Sequence, residues 1–251
     1  MRTGGTAPES SPEIRTYRIP TTATGEDAPT FVLLHGIGLS HRFYGRLGRA
    51  LSRTGPVVSF DLPGFGPTRH PGRRLSVEDH AALVAAQLTR LSTGPVVVIG
   101  HSMGAQFATE LARTYPHLVS HVILIGPVVD AAHRTLRAQA WALLRDAPLE
   151  PPRTQTAALF DYVRCGIPWF LTEAFAMRDY PTHERIVDVS QPLLVLRGEH
   201  DPIAKAAWCH HLAQLTSAGT VETPPRTRHN APHARPEAVA EAVRRFVQEH
   251  V

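Results

Sequence analysis

Four β-branched residues in a row, Val96-Val97-Val98-Ile99, run directly into Gly100-His101-Ser102-Met103-Gly104 and then into a stretch of helix formers. An uninterrupted apolar run suits a strand covered on both faces, the environment of a parallel sheet. Residues 102–112 read as a helix, and Pro116 lies just past its end. The turn between strand and helix is a G-x-S-x-G. Glycines are needed there because strand and helix approach too closely for a Cβ, and such a strained turn exposes a serine hydroxyl above the sheet. The helix start beneath it favours an oxyanion. A glycine-punctuated turn with a capping serine is the structural alternative. The strand–turn–helix setting favours the functional one.

The rest of the chain repeats this alternation. Residues 13–20 alternate polar and apolar side chains, as an edge strand does. Buried strands are expected over 30–35, 56–60, 121–126 and 192–198, with a last strand near 220–223. Helices are expected over 41–53, over 76–91 behind a capping Ser76 with Glu78 and Asp79, and over 236–251 behind Pro236. Strands alternating with helices imply a mostly parallel α/β sheet flanked by helices. The rhythm breaks over 131–190, which holds helical stretches at 136–144 and 168–177 between prolines. One domain, 1–251, with 131–190 as an inserted helical cap, accounts for this, and residues 1–12 read as a disordered lead-in.

Composition narrows the partners. The net charge is +4, spread over scattered arginines with Lys205 the only lysine, and no block of like charges appears. A nucleic-acid surface is therefore not expected. No run approaches eighteen apolar residues and the first residues lack an apolar leader, so no membrane partner is expected either. Cys165 and Cys209 sit in no metal-like spacing; two free thiols of a cytoplasmic protein are the default, with a disulfide the alternative.

Three further motifs surround the serine. Arg197-Gly198-Glu199-His200-Asp201-Pro202 places an acid just past a buried strand, where ligands bind in open α/β sheets. Thr227-Arg228-His229-Asn230-Ala231-Pro232-His233 places histidines before the last helix. His35-Gly36-Ile37-Gly38 ends another buried strand, where a backbone N–H can join that of Met103 around a carbonyl oxygen.

With these motifs, and with Asp61-Leu62-Pro63-Gly64-Phe65-Gly66, the chain resembles the α/β-hydrolase fold superfamily, of the capped, serine-nucleophile, esterase-like type. The match spans residues 30–251 in the family's order of Ser, Asp and His. The resemblance implies a mostly parallel central sheet flanked by helices, with a helical cap inserted after the sixth strand. It implies Ser102 as nucleophile, His229 as general base, Asp201 as the orienting acid, and the N–H groups of Ile37 and Met103 as oxyanion hole. Neither a metal nor an organic cofactor is called for. His233 competes with His229, and Asp130 with Asp201. The seven-residue spacing from His229 to Pro236 and the Gly198–Asp201 turn decide for His229 and Asp201. Arg228 and Ala234 stand where the family usually has Gly and often an acid. His35 and His101 are expected to be hydrogen-bonded behind the turn, Glu199 to be solvated, and His210-His211 to lie on a helix surface.

The expected reaction is hydrolysis of carboxylic esters, thioesters or lactones of small to medium apolar substrates through an acyl-enzyme. A serine at position 102 argues against epoxide hydrolases and haloalkane dehalogenases, and His101 stands where carbon–carbon hydrolases typically carry Asn. Acyl transfer, carbon–carbon hydrolysis, lyase or cyclase chemistry, or ligand binding without turnover, are the alternatives on such a fold. Of the aromatic residues in 131–190, Trp141, Trp169 and Phe170 are the expected pocket lining.

Overall fold

The computed structural model describes residues 12–21, 28–130 and 135–250. The expected disordered lead-in, Pro12 apart, and the first residues of the insertion lie outside them.

Strands β1 (Arg15–Ile19) and β2 (Phe31–Leu34) come first. A 3-10 turn over His41–Tyr44 then leads into α1 (Gly45–Leu51), so the helix expected over 41–53 is divided. β3 (Val57–Asp61) is followed by α2 (Val77–Leu91). Ser76 and Asp79 cap α2 reciprocally: the Asp79 N–H donates to the Ser76 hydroxyl at 3.1 Å, and the Ser76 N–H to the Asp79 carboxylate at 3.0 Å. β4 (Val96–His101), α3 (Met103–Thr114) and β5 (Val119–Ile125) complete the first half. The insertion holds α4 (Leu136–Asp146), α5 (Pro152–Cys165), α6 (Ile167–Asp179) and the single turn α7 (Thr182–Arg185). β6 (Leu193–Leu196), α8 (Ala206–Gln214), β7 (Gly219–Glu222), α9 (Ala231–Ala234) and α10 (Pro236–Glu249) close the chain.

The strands form one seven-stranded sheet in the order β1-β3-β2-β4-β5-β6-β7. Every pairing is parallel except that of β1 with β3. β2, β4 and β6 are buried at every position because helices cover both faces. The strand pleat divides the core. Val96 and Val98 pack with α2, α3 and α8, while Val97 and Ile99 pack with α1 and α10.

The insertion follows the fifth strand among the described residues, not the sixth. Ahead of β2 the described residues hold one strand, over the alternating polar and apolar side chains of 13–20, where a count of six needs two. Polar contacts dock the insertion on the sheet layer. His80 of α2 and Glu173 of α6, both wholly buried, meet at 3.0 Å. The Tyr180 hydroxyl donates to Glu110 at 2.8 Å, and the Gln106 amide to the Met177 carbonyl at 2.9 Å. No helix among the described residues is long and apolar enough to cross a membrane.

Candidate active site

Ser102 sits between β4 and α3 with φ +56°, a left-handed conformation that costs a non-glycine residue about 1–3 kcal/mol. The surroundings hold it there. Its N–H donates to the Ile125 carbonyl at 2.9 Å, and its carbonyl accepts the Ala105 N–H at 3.0 Å. A Cβ on Gly100 would collide with the Gly104 backbone, and one on Gly104 with the Leu34 carbonyl. Both glycines are therefore required for α3 to lie so close to the sheet.

The β6 and β7 ends bring the acid and the histidine to this serine. Asp201 Oδ1 accepts the N–H groups of Ile203 and Ala204 at 2.8 and 3.0 Å, which fixes the carboxylate plane. Its Oδ2 lies 2.9 Å from His229 Nδ1. A carboxylate only accepts, so Nδ1 carries the proton and Nε2 presents its lone pair. Nε2 lies 3.1 Å from the Ser102 hydroxyl, which donates to it. Burial opposes the imidazolium of His229, but the Asp201 charge and hydrogen bond, with Asp146 and Glu150 adding, raise its pKa above the usual histidine value. Burial likewise opposes ionisation of Asp201. The His229 charge and hydrogen bond and the two backbone donors nevertheless hold its pKa below the carboxylate norm.

The rivals are placed elsewhere. His233 faces Thr154, at 2.9 Å from its hydroxyl, and stacks on Phe43. The carboxylate on His229 is that of Asp201, not Asp130. Glu199 accepts the Arg226 N–H at 2.6 Å on the surface. His210 and His211 are exposed on α8. Among the described residues no group of three or more His, Cys, Asp or Glu is placed to hold a metal ion.

Behind the serine runs a hydrogen-bond chain that the motifs only hinted at. The Gly36 N–H donates to the Tyr44 hydroxyl at 3.0 Å, and that hydroxyl donates to His101 Nδ1 at 2.7 Å. His101 Nε2–H in turn donates to the His229 carbonyl at 2.9 Å. Burial, and then the neighbouring His229, push the His101 pKa down to about 3, so the ring stays neutral with the single tautomer this chain needs. His35 is similarly neutral, pushed down to about 4 by burial. Its Nδ1–H donates to the Gly36 carbonyl, while Nε2 accepts the Leu62 N–H.

The loop after β2 lies against the serine: a Cβ on Gly36 would stand 3.0 Å from that of Ser102. A cap residue grips the far end of this loop. The Asp161 carboxylate accepts both the N–H and the hydroxyl of Ser40, each at 2.9 Å. Among the described residues no protein acceptor takes the N–H of Ile37 in this loop, and Met103, the first residue of α3, has none within its helix. These N–H groups can receive a developing negative charge beside Ser102.

Ser102 and His229 open into a cavity of about 310 Å³ bounded by the insertion, near the lower end of ordinary ligand sites. Its wall is apolar, with Leu143, Tyr162, Phe170 and Met177 from the insertion facing Ile37 and Ile203. Among the described residues no lysine, arginine, aspartate or glutamate lines it. A second, more polar cavity of about 470 Å³ adjoins it across Leu143, Tyr162 and Asn230 and includes Glu150 and Thr154. Of the three aromatic residues expected to form the pocket, only Phe170 does so. Trp169 is buried over the loop of Gly64, Phe65 and His70, where the absent Gly64 side chain leaves room for its ring. Trp141 is 61% exposed beneath the Arg145 guanidinium. Helical spacing put each of them one step round from the cavity side. Tyr162 and Asp161 lie on α5, a helix the sequence reading did not anticipate.

A model of the alpha/beta hydrolase family matches residues 31–242. The chain is 26% identical over 242 residues to (E)-2-((N-methylformamido)methylene)succinate hydrolase of Acinetobacter baylyi, covering 89% of this chain and 92% of that protein. Among solved structures, the enol-lactonase from Burkholderia xenovorans LB400 superposes with a TM-score of 0.78 at 19% identity, over 96% of this chain and 99% of that one. A thermophilic esterase from Thermogutta terrifontis gives 0.77 at 22% identity, over 98% and 97%. Identities this low bear on the fold.

Proposed function

The chain belongs to the alpha/beta hydrolase family, and from that premise we propose that it is a serine hydrolase of carboxylic esters, thioesters or lactones with apolar acyl groups. The observation that carries this is the hydrogen-bonded series Asp201–His229–Ser102 opening into an apolar cavity. Ser102 Oγ attacks the carbonyl carbon as His229 Nε2 takes its proton, and the N–H groups of Ile37 and Met103 hold the oxyanion. The leaving alcohol or thiol departs with the proton from His229. Water, deprotonated by His229, then attacks the acyl carbon, releasing the acid and restoring the Ser102 hydroxyl.

The cavity wall supports an uncharged acyl group. A substituted succinate, such as the name of the Acinetobacter relative specifies, carries two carboxylates, and among the described residues no lysine or arginine lines the cavity to meet them. The more polar neighbouring cavity suits the leaving group. Cys165 and Cys209 are buried free thiols, each pushed up to about 12 by burial, which supports a structural role and a reducing, cytoplasmic setting. Turnover of a series of p-nitrophenyl esters and lactones tests the proposal. Hydrolysis of the apolar members is expected, and no turnover of any member would overturn it.

The pH dependence follows from His229. The base must be neutral, and its pKa lies above the ordinary value of about 6.5. The rising limb of kcat/KM, which reports the free enzyme, should therefore lie above that value. The motif alone places it at about 6 to 7. A limb at or below pH 6 would contradict the Asp201 contact as the controlling charge.

Cap substitutions should separate lining from packing. Phe170→Ala is expected to shift preference along the acyl chain-length series, with a small effect on melting. Trp169→Ala removes a buried ring and should cost about 3–5 kcal/mol of stability without changing the rank order of substrates. The two measurements are kcat/KM across the series and thermal melts. The opposite pattern would place the acyl group outside this cavity.

A further inference from the structure

All ten large apolar side chains that are exposed among the described residues lie between Trp141 and Val187, in the insertion. All but Val187 belong to α4, the turn after it, α5 and α6. On α6, Ile167, Leu171 and Phe175 recur every fourth residue, so they form one stripe along the helix. Val163 on α5 and Ile167 on α6 are 74% and 77% exposed, far beyond what isolated surface leucines or valines need explain. α6 packs against both α4 and α5, so its stripe lies on helices that adjoin.

Charge on the same helices is sorted by sign. Arg137, Arg145, Arg153 and Arg164 are exposed, and Arg178 is partly so. The acids Asp146, Glu150, Asp161 and Glu173 are all buried against the body of the protein. Asp179 is the one exposed acid on α4–α6, and it is held by Arg74 and Arg178. Three guanidinium groups lie over exposed aromatic rings: Arg42 on Phe160, Arg145 on Trp141 and Arg178 on Phe175. Aromatic and aliphatic side chains rimmed by cations, on helices that lie side by side, are what an anionic lipid headgroup layer accepts. A second copy of the same face would set arginine against arginine.

The apolar face is also continuous with the cavity. Leu144 and Leu171 are 67% and 48% exposed and line the cavity that holds Ser102. We propose that the insertion docks on anionic lipid bilayers through the exposed apolar and arginine-bearing face of α4–α6, with the cavity opening toward the lipid between Leu144 and Leu171. This is surface docking, not spanning, and it replaces the expectation that a membrane plays no part. It explains why the apolar surface is concentrated at the cavity mouth: a lipophilic ester dissolved in the bilayer would reach Ser102 without crossing water.

Sedimentation of the full chain with vesicles tests this without reference to turnover. Vesicles of phosphatidylcholine mixed with phosphatidylglycerol should bind the protein, and pure phosphatidylcholine should bind it much less. Raised salt should weaken binding, because headgroup attraction is screened. The pair Val163→Ser and Ile167→Ser, and separately Arg153→Ser with Arg164→Ser, should each lower affinity by at least about tenfold, since each pair removes two contacts to the layer. Unchanged melting temperatures verify that both variants fold, and none of the four residues lines the cavity. Equal binding to both vesicle types, or variants that bind like the parent, would overturn the proposal. So would a dimer in the parent that dissociates in the Val163→Ser, Ile167→Ser variant with no vesicle binding, which would assign this face to a second copy of the chain.

Discussion

Ser102→Ala is expected to abolish ester hydrolysis while leaving the fold and its melting temperature nearly unchanged. Among the described residues the hydroxyl bonds to one side chain, His229, whose Nε2 lies 3.1 Å away. No other described residue depends on it. The strained backbone at φ +56° is held by the Ile125 and Ala105 hydrogen bonds, which alanine keeps. Alanine is no larger than serine, so the contact with Gly36 is not tightened. In a serine protease of unrelated fold, loss of the nucleophile lowers kcat by roughly 10⁶, and a loss of that order is expected here. A fluorophosphonate should label the parent at Ser102 and leave the variant unlabelled. Full activity in Ser102→Ala would end the acyl-enzyme mechanism outright.

Asp201→Asn and His229→Ala should each lower kcat by about 10⁴ or more, the loss seen when a serine protease triad loses its acid. The local geometry explains why the amide is so damaging. The N–H groups of Ile203 and Ala204 both point at Oδ1, so in the Asp201→Asn variant the amide oxygen must take that position. The amide NH₂ then faces His229 Nδ1 and demands an acceptor there. The proton is forced to Nε2, which can no longer receive one from Ser102. The double variant should be little worse than either single one, because the groups act as a unit. His233→Ala and Asp130→Asn should leave kcat within a few-fold. The former removes a ring packed between Phe43 and Thr154, and its effect belongs in the melting curve. A dead His233→Ala with an active His229→Ala would move the base to the other histidine.

Local sequence carried much of this architecture because its causes are local. An all-apolar strand such as Val96-Val97-Val98-Ile99 demands cover on both faces whatever surrounds it. Gly100 and Gly104 are demanded by one close crossing of strand and helix, and the reciprocal Ser76–Asp79 cap lies within four residues. The order of Ser102, Asp201 and His229 along the chain was legible for the same reason: each sits at the end of a strand or in a turn written in its own neighbourhood.

How the insertion packs was decided only by tertiary contacts. α5 escaped the periodicity reading because its buried face is Thr154, Ala158, Asp161 and Cys165, half of it polar. Those polar groups are tolerable only because Ser40 and His233, more than seventy residues away, supply their hydrogen bonds. Glu173 reads as a surface acid until His80 closes on it in the interior. Trp169 and Phe170 are adjacent in sequence and both aromatic. One helical step of about 100° sends the first over Gly64 and the second into the cavity. Residue type and spacing thus determined the sheet, its turns and which polar residues stand at its edge. Which side chains face the cavity, and which apolar faces remain uncovered, depended on long-range contacts that no local pattern encodes.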